Sequence, residues 1–153
     1  MIDPPHITQT VARPTAIIHI VVPSDQIQDV MGPTLQELIT TLGEQGVKPA
    51  GPWFTHHLRR PSESFDFEVS MPVDRPVKPS GRVQPSQWPE MKVARTVYHG
   101  DYDDLGEAWS DLLDWVEENG HQPRQDLWEV YTIGPDTTSN PADWRTELNQ
   151  PLL

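Results

Sequence analysis

Five consecutive residues, Leu127-Trp128-Glu129-Val130-Tyr131, hold the most concentrated chemistry in this 153-residue chain. The run is apolar apart from one carboxylate, and its composition reads as a β-strand. Successive strand side chains point to opposite faces, so Leu127, Glu129 and Tyr131 share one face. The expected arrangement turns Trp128 and Val130 toward a helix and leaves Leu127, Glu129 and Tyr131 on an open, groove-facing side. A carboxylate between leucine and tyrosine loses hydration. It then either recruits a cation or keeps its proton to higher pH. The first outcome suits the capture of lipophilic cations, and the second suits general acid–base chemistry. The competing reading makes Glu129 an ordinary edge-strand carboxylate in water.

A second strand, Trp53-Phe54-Thr55-His56-His57, matches the first at an offset of 74 residues. That offset sets Thr55 against Glu129 by pseudo-symmetry. Trp53, Thr55 and His57 are expected to line the other wall of the groove. Trp53 is suited to stacking a flat ligand, and its ring face attracts cations; the plainer alternative is a core or rim tryptophan. His56 and His57 are neighbours on a strand and point apart, so they do not chelate one ion together. The chain has no cysteine, which removes disulfides, thiolate ligands and cysteine nucleophiles. Neither a metal nor a cofactor is expected. Glu68 and Glu147 occupy matching strand positions, which argues for a repeated structural role, with Arg13 or Arg95 as a partner, rather than for a glycosidase pair. No nucleophile elbow or phosphate loop occurs.

These residues must be held by repeated elements. At the offset of 74, Leu35 meets Trp109, Leu38 meets Leu112, Leu42 meets Val116, Gly46 meets Gly120 and Pro61 meets Pro135; at 79, Phe65 meets Trp144 and Pro72 meets Pro151. Each copy reads as strand, helix, strand, strand. In the first, Thr15 to Val22 is a strand and Ser24 or Asp25 caps the next helix. Ile27, Met31, Leu35, Leu38 and Leu42 form its apolar stripe. A kink or restart is expected at Gly32-Pro33, and a stop at Gly46. Strands follow at Pro52 to Leu58 and Ser64 to Met71. In the second, Met91 to His99 is a strand. Asp103 or Asp104 caps a helix that Asn119-Gly120 ends, and strands follow at Asp126 to Ile133 and Asp143 to Gln150. The expected fold is α+β: two pseudo-twofold-related β-α-β-β modules whose antiparallel sheets form a ligand cleft between their open faces. The modules cover about residues 5–73 and 90–153 of a single domain, joined by a proline-rich extended linker over 74–89.

Net charge is −12, which repels phosphate backbones and anionic membranes. Direct nucleic-acid binding and membrane association are therefore not expected. The first residues lack a signal-peptide pattern and no apolar run is long enough to span a bilayer, so the expected location is cytoplasmic. The acidic residues of the second helix read as a solvated face.

His99-Gly-Asp-Tyr-Asp-Asp-Leu105, Trp109, Leu112, Gly120 to Pro123, Trp128-Glu-Val-Tyr131 and Arg145-Thr-Glu-Leu148 follow one another in an order that resembles the GyrI-like small-molecule-binding family, the bacterial transcription activator effector-binding domain. Gly51-Pro52 and Phe67 to Val73 extend the resemblance through the first copy. It implies two β-α-β-β modules with a ligand cleft, and it places Glu129 inside that cleft. It also implies binding of multidrug-like cations at Glu129. With the strand-face reading above, the expected function is a stand-alone binder of lipophilic or cationic compounds, acting in drug sequestration or sensing, with Trp53, Thr55, His57, Tyr98, Leu127, Glu129 and Tyr131 as the candidate ligand-binding residues. Two alternatives come with the family. One is hydrolysis of cyclopropane-bearing alkylating compounds, with Glu129 activating water and Tyr131 or Tyr98 supplying a proton. The other is inhibition of a protein partner such as gyrase. The sequence departs from the family pattern at Asp101 and at Gln150, and the second change is expected to alter one wall of the cleft.

Overall fold

The computed structural model describes residues 1–60, 62–135 and 137–153. The Pro61 half of the Pro61/Pro135 match lies outside the described residues. The chain is α+β, with strands β1 (His6–Gln9), β2 (Arg13–Pro23), β3 (Phe54–His57), β4 (Ser64–Pro72), β5 (Gln84–Trp88), β6 (Lys92–His99), β7 (Leu127–Ile133) and β8 (Arg145–Pro151). Helix α1 spans Ile27–Gln45 and helix α2 spans Leu105–Glu118. Two compact units result, one of Val11–Pro89 and one of Met1–Thr10 with Glu90–Leu153. No helix among the described residues is long and apolar enough to cross a membrane.

In the Val11–Pro89 unit, β4 pairs antiparallel with β2 and β3, and β5 adds to the far side of β2. Alternate residues of two strands, Ala16, Ile18 and Ile20 with Phe67, Val69 and Met71, make one apolar face. Leu38 and Leu42 of α1 close over it. Each side chain of this size removed from water stabilises the fold by about 1.5–3 kcal/mol. α1 runs unbroken through Pro33, so the expected restart does not occur; Ile27, Val30 and Met31 before the proline pack partly buried against the core, and Leu38 and Leu42 after it are fully buried there. It ends at Gly46, whose φ of 66° lets its N–H reach the carbonyls of Leu42 and Gly43. Ser24–Gln26 forms a 3-10 turn with no side-chain cap. The proline-rich segment ends in an edge strand, β5, where Pro85 costs no central ladder bond. Trp88 then buries against Phe54, ring centroids 4.8 Å apart, under the Arg13 guanidinium.

In the other unit the order is β1, β6, β8, β7, again antiparallel. The chain's first ten residues thus complete the second module, because β1 pairs with β6. Ala108, Trp109, Leu112 and Val116 of α2 bury on the sheet. Gly120, φ 77°, follows the helix end as the sequence predicts. Asp104 stands at the N-cap, yet its side chain makes no capping bond; the nearby Asp101 carboxylate instead accepts from the Asp103 N–H at 3.1 Å.

Both matched acids have side-chain partners on neighbouring or the same strands. Glu68 meets His56 Nδ1 at 3.1 Å. Glu147 meets Arg95 Nε at 3.4 Å and accepts from Asn149 Nδ2 at 3.0 Å.

Candidate functional site

Strand pairing assembles the site in the unit containing α2. Glu129 lies opposite Leu148, and Tyr131 lies opposite Thr146. On the other side of β8, Thr96 faces Leu148 and Tyr98 faces Thr146. Two rows therefore cross the sheet on one face, Glu129–Leu148–Thr96 and Tyr131–Thr146–Tyr98. That face carries the helix. Leu127, Leu148, Ala94 and Tyr98 form one core with Trp109, Leu112 and Val116 of α2. The expectation that Trp128 and Val130 face the helix is thus reversed. Every residue from Leu127 to Tyr131 is buried, so apolar alternation carries no signal about which side the helix covers.

Glu129 is only 6 % exposed. Burial pushes its carboxyl up to about 7, against the opposing pull of the Trp109 indole and the Tyr131 phenol. The Tyr131 hydroxyl donates to Oε2 at 3.4 Å. The Trp109 N–H is directed at the carboxylate without closing a well-formed hydrogen bond. A reading of Glu129 as a solvated edge carboxylate is excluded by this burial.

An aromatic chain extends from the carboxylate. Tyr102 packs edge-on to Tyr131 at 6.0 Å, and Trp144 lies tilted on Tyr102 at 5.1 Å. Both outer rings are half-buried. Trp144 is fixed by its indole N–H, which donates to the Thr138 carbonyl at 2.9 Å. A bulge between Tyr131 and Ile133 breaks the register beside this cluster, a common device for aiming side chains at a site. Neither Tyr102 nor Trp144 was a candidate site residue from the sequence; Tyr102 precedes α2, and Trp144, placed in an expected strand, lies just before β8.

Tyr98 sits on the same face, 3 % exposed. Burial and the charges of Asp104 and Asp101 raise its phenol, and its oxygen is held by the Asp104 backbone. Thr146 is fully buried, and its Oγ1 has no hydrogen-bond partner among the described residues. It escaped the sequence reading, since only the register sets it between two tyrosines. Gln150, fully buried, spreads its amide over the carbonyls of Pro151, Arg124 and Asp126 at 2.9, 3.0 and 3.3 Å. It ties down the segment that leads into β7.

The Val11–Pro89 unit repeats the row. Thr55 lies opposite Val69, which lies opposite Ile18. Thr55 is fully buried, and Trp53 is half-buried against the α1 core. The His57 ring stacks on Phe67 at 5.2 Å. Burial, with the neighbouring His56, lowers its pKa to about 4, so it is neutral at pH 7. His56 points to the opposite face, toward Glu68. No cluster of three potential metal ligands occurs among the described residues.

The α+β order of strands and helices agrees with the fold that the sequence resemblance implies. Residues 4–153 match the GyrI-like small molecule binding domain. The chain belongs to this family. This GyrI-like domain resembles the EcmrR C-terminal domain, with a TM-score of 0.87 and 21% identity over 98% of this chain and 97% of that one. It also matches EcmrR in an EcmrR–DNA complex, TM-score 0.86 and 23% identity, covering 97% of this chain but 57% of that longer one. SAV2435, solved bound to tetraphenylphosphonium, shares the fold at TM-score 0.65 and 9% identity, over 99% of this chain and 94% of that one. No curated protein matches.

Proposed function

We propose that this GyrI-like domain binds lipophilic cations at Glu129, in drug sequestration or sensing. The observation that carries the reading is a carboxylate buried on an apolar face with a chain of three aromatic rings leading away from it. In such surroundings a carboxylate gains from a cation that sheds its own water easily, and quaternary or delocalised cations do so. Aromatic faces add about 0.5–2 kcal/mol each to cation capture. In this reading Tyr102 and Trp144 stack on the ligand, and Tyr131 holds the carboxylate in place. Leu127 and Tyr98 supply apolar lining, and Trp53, Thr55 and His57 are the ligand-binding candidates of the other unit. Titration with a fluorescent lipophilic cation tests the assignment. Glu129→Gln should weaken binding about 10- to 100-fold, the range for losing a charged partner in a buried site. Equal affinity for both proteins removes Glu129 from the site.

One observation favours a second reading. A carboxyl that titrates near pH 7 beside a phenol is equipped for proton transfer. Water oxygen would bond to a carbon of a strained electrophilic ring as Glu129 takes its proton, and the ring C–C bond would break. Tyr131 would protonate the released carbon, and Glu129 would return the proton to the phenolate 3.4 Å away. Mass spectrometry of a cyclopropane-bearing alkylator incubated with the protein separates the readings: ring-opened product that Glu129→Gln no longer forms supports catalysis, and recovery of intact compound supports binding alone.

A further inference from the structure

Polar groups on the α2-covered face are almost all accounted for. Thr96 donates to the Asp3 carbonyl at 2.6 Å. Gln150 serves three carbonyls, and Glu129 takes the Tyr131 hydroxyl. Two groups stand apart: the Trp109 N–H, which is directed at the Glu129 carboxylate, and Thr146, whose fully buried hydroxyl has no partner among the described residues. The cross-strand neighbours of Thr146 explain why. Tyr131 lies directly opposite, but its hydroxyl turns along the strand to Glu129. Tyr98 lies opposite on the other side, but its oxygen is held at the start of α2 by Asp104. Both phenols that flank Thr146 are thus engaged elsewhere. Buried hydroxyls ordinarily find partners, so one left without a partner calls for an explanation, and beside a candidate site a bound ligand can supply the partner.

We propose that Thr146 is a specificity-determining residue of the Glu129 site. Its hydroxyl hydrogen-bonds a polar group of the ligand, so the site selects lipophilic cations that also carry a hydroxyl or carbonyl. The inference rests on the cation reading above and adds the class of cation. Glu129 and Thr146 are diagonal neighbours on β7 and β8, a relation that sets such residues roughly 7–8 Å apart. The ligand's polar group therefore sits about one aromatic ring away from its charge. Thr146 bonds either a donor or an acceptor, because a hydroxyl does both.

The test uses tetraphenylphosphonium and its derivatives with one hydroxyl, meta or para, on one ring. Affinities are measured calorimetrically for the wild type, Thr146→Ser and Thr146→Val. The wild type should prefer the better hydroxylated probe over the parent by about five- to tenfold, the value of one hydrogen bond. Thr146→Ser should keep the preference, and Thr146→Val should bring the ratio to about one. Thr146→Val should fold and melt no lower than wild type, since it removes an orphaned hydroxyl; Thr146→Ala gives the same ratio test if valine does not fit. A wild type with no preference, or a preference that survives in valine and alanine variants, overturns the inference while leaving cation binding intact. If no probe binds the wild type, the cation reading itself fails and takes this inference with it.

Discussion

The Tyr131 hydroxyl lies 3.4 Å from the Glu129 carboxylate, two residues away along the same strand face. That spacing couples the two groups. The phenol stabilises the charged carboxylate, whereas burial resists it, and burial wins, leaving the carboxyl at about 7. Near neutral pH the charge on this residue is therefore sensitive to small changes in its surroundings.

Cation binding should strengthen as pH rises through 7 and level off above it. A cation prefers the ionised carboxylate, so each binding event below that pH must release a proton. Calorimetry in buffers of different ionisation enthalpy should report close to one proton released at pH 6 and close to none at pH 8.5. A pH-independent affinity would show that the carboxylate does not face the ligand.

Glu129 and His57 should oppose each other in the pH dependence of stability. Glu129 rises from 4.5 to about 7 on folding. Between those values the native state holds the extra proton, so stability falls as pH rises. His57 drops from 6.5 to about 4. There the unfolded state holds the extra proton, so stability rises with pH. Each contribution is about 3 kcal/mol over its window, and between about pH 4.5 and 6.5 the two slopes nearly cancel. Urea unfolding of Glu129→Gln should show stability climbing with pH across that window. His57→Gln should show it declining up to about pH 7.

Removing the aromatic cover should rehydrate the carboxyl. Tyr102→Ala deletes the ring packed between Tyr131 and Trp144. Loss of those ring pairs should cost about 1–2 kcal/mol in chemical denaturation. Water admitted beside Tyr131 should also bring the Glu129 pKa down toward the ordinary carboxylate range, as read by carboxyl NMR titration. An unchanged titration would place the cover elsewhere.

Gln150→Leu should destabilise the protein by about 1–3 kcal/mol. The buried amide is shared among three carbonyls, and leucine offers them nothing. The measurement is a shift in urea midpoint without a change in slope. A neutral result would show that the segment from Arg124 to Asp126 holds itself.

The repeat was legible because helix stripes, helix-ending glycines and turn prolines obey local rules. Leu35 with Trp109, Leu42 with Val116 and Gly46 with Gly120 recur in order, and both glycines take the positive φ that such ends require. Strand alternation also grouped Leu127, Glu129 and Tyr131 correctly, since period two is a property of the backbone itself. It did not tell which face the helix covers. Both faces of β7 are buried, and only the packing of Trp109 and Leu112 decides that Glu129 lies beneath α2. Nor did the sequence show that β1 joins β6, a pairing across some 85 residues, or that the proline-rich stretch ends in edge strand β5. Non-local pairing depends on register and on what else competes for the edge, which no local pattern encodes. Thr146 makes the same point: its residue type is unremarked in the sequence, and only the two tyrosines set beside it by the ladder, each turned to another partner, leave its hydroxyl without one among the described residues.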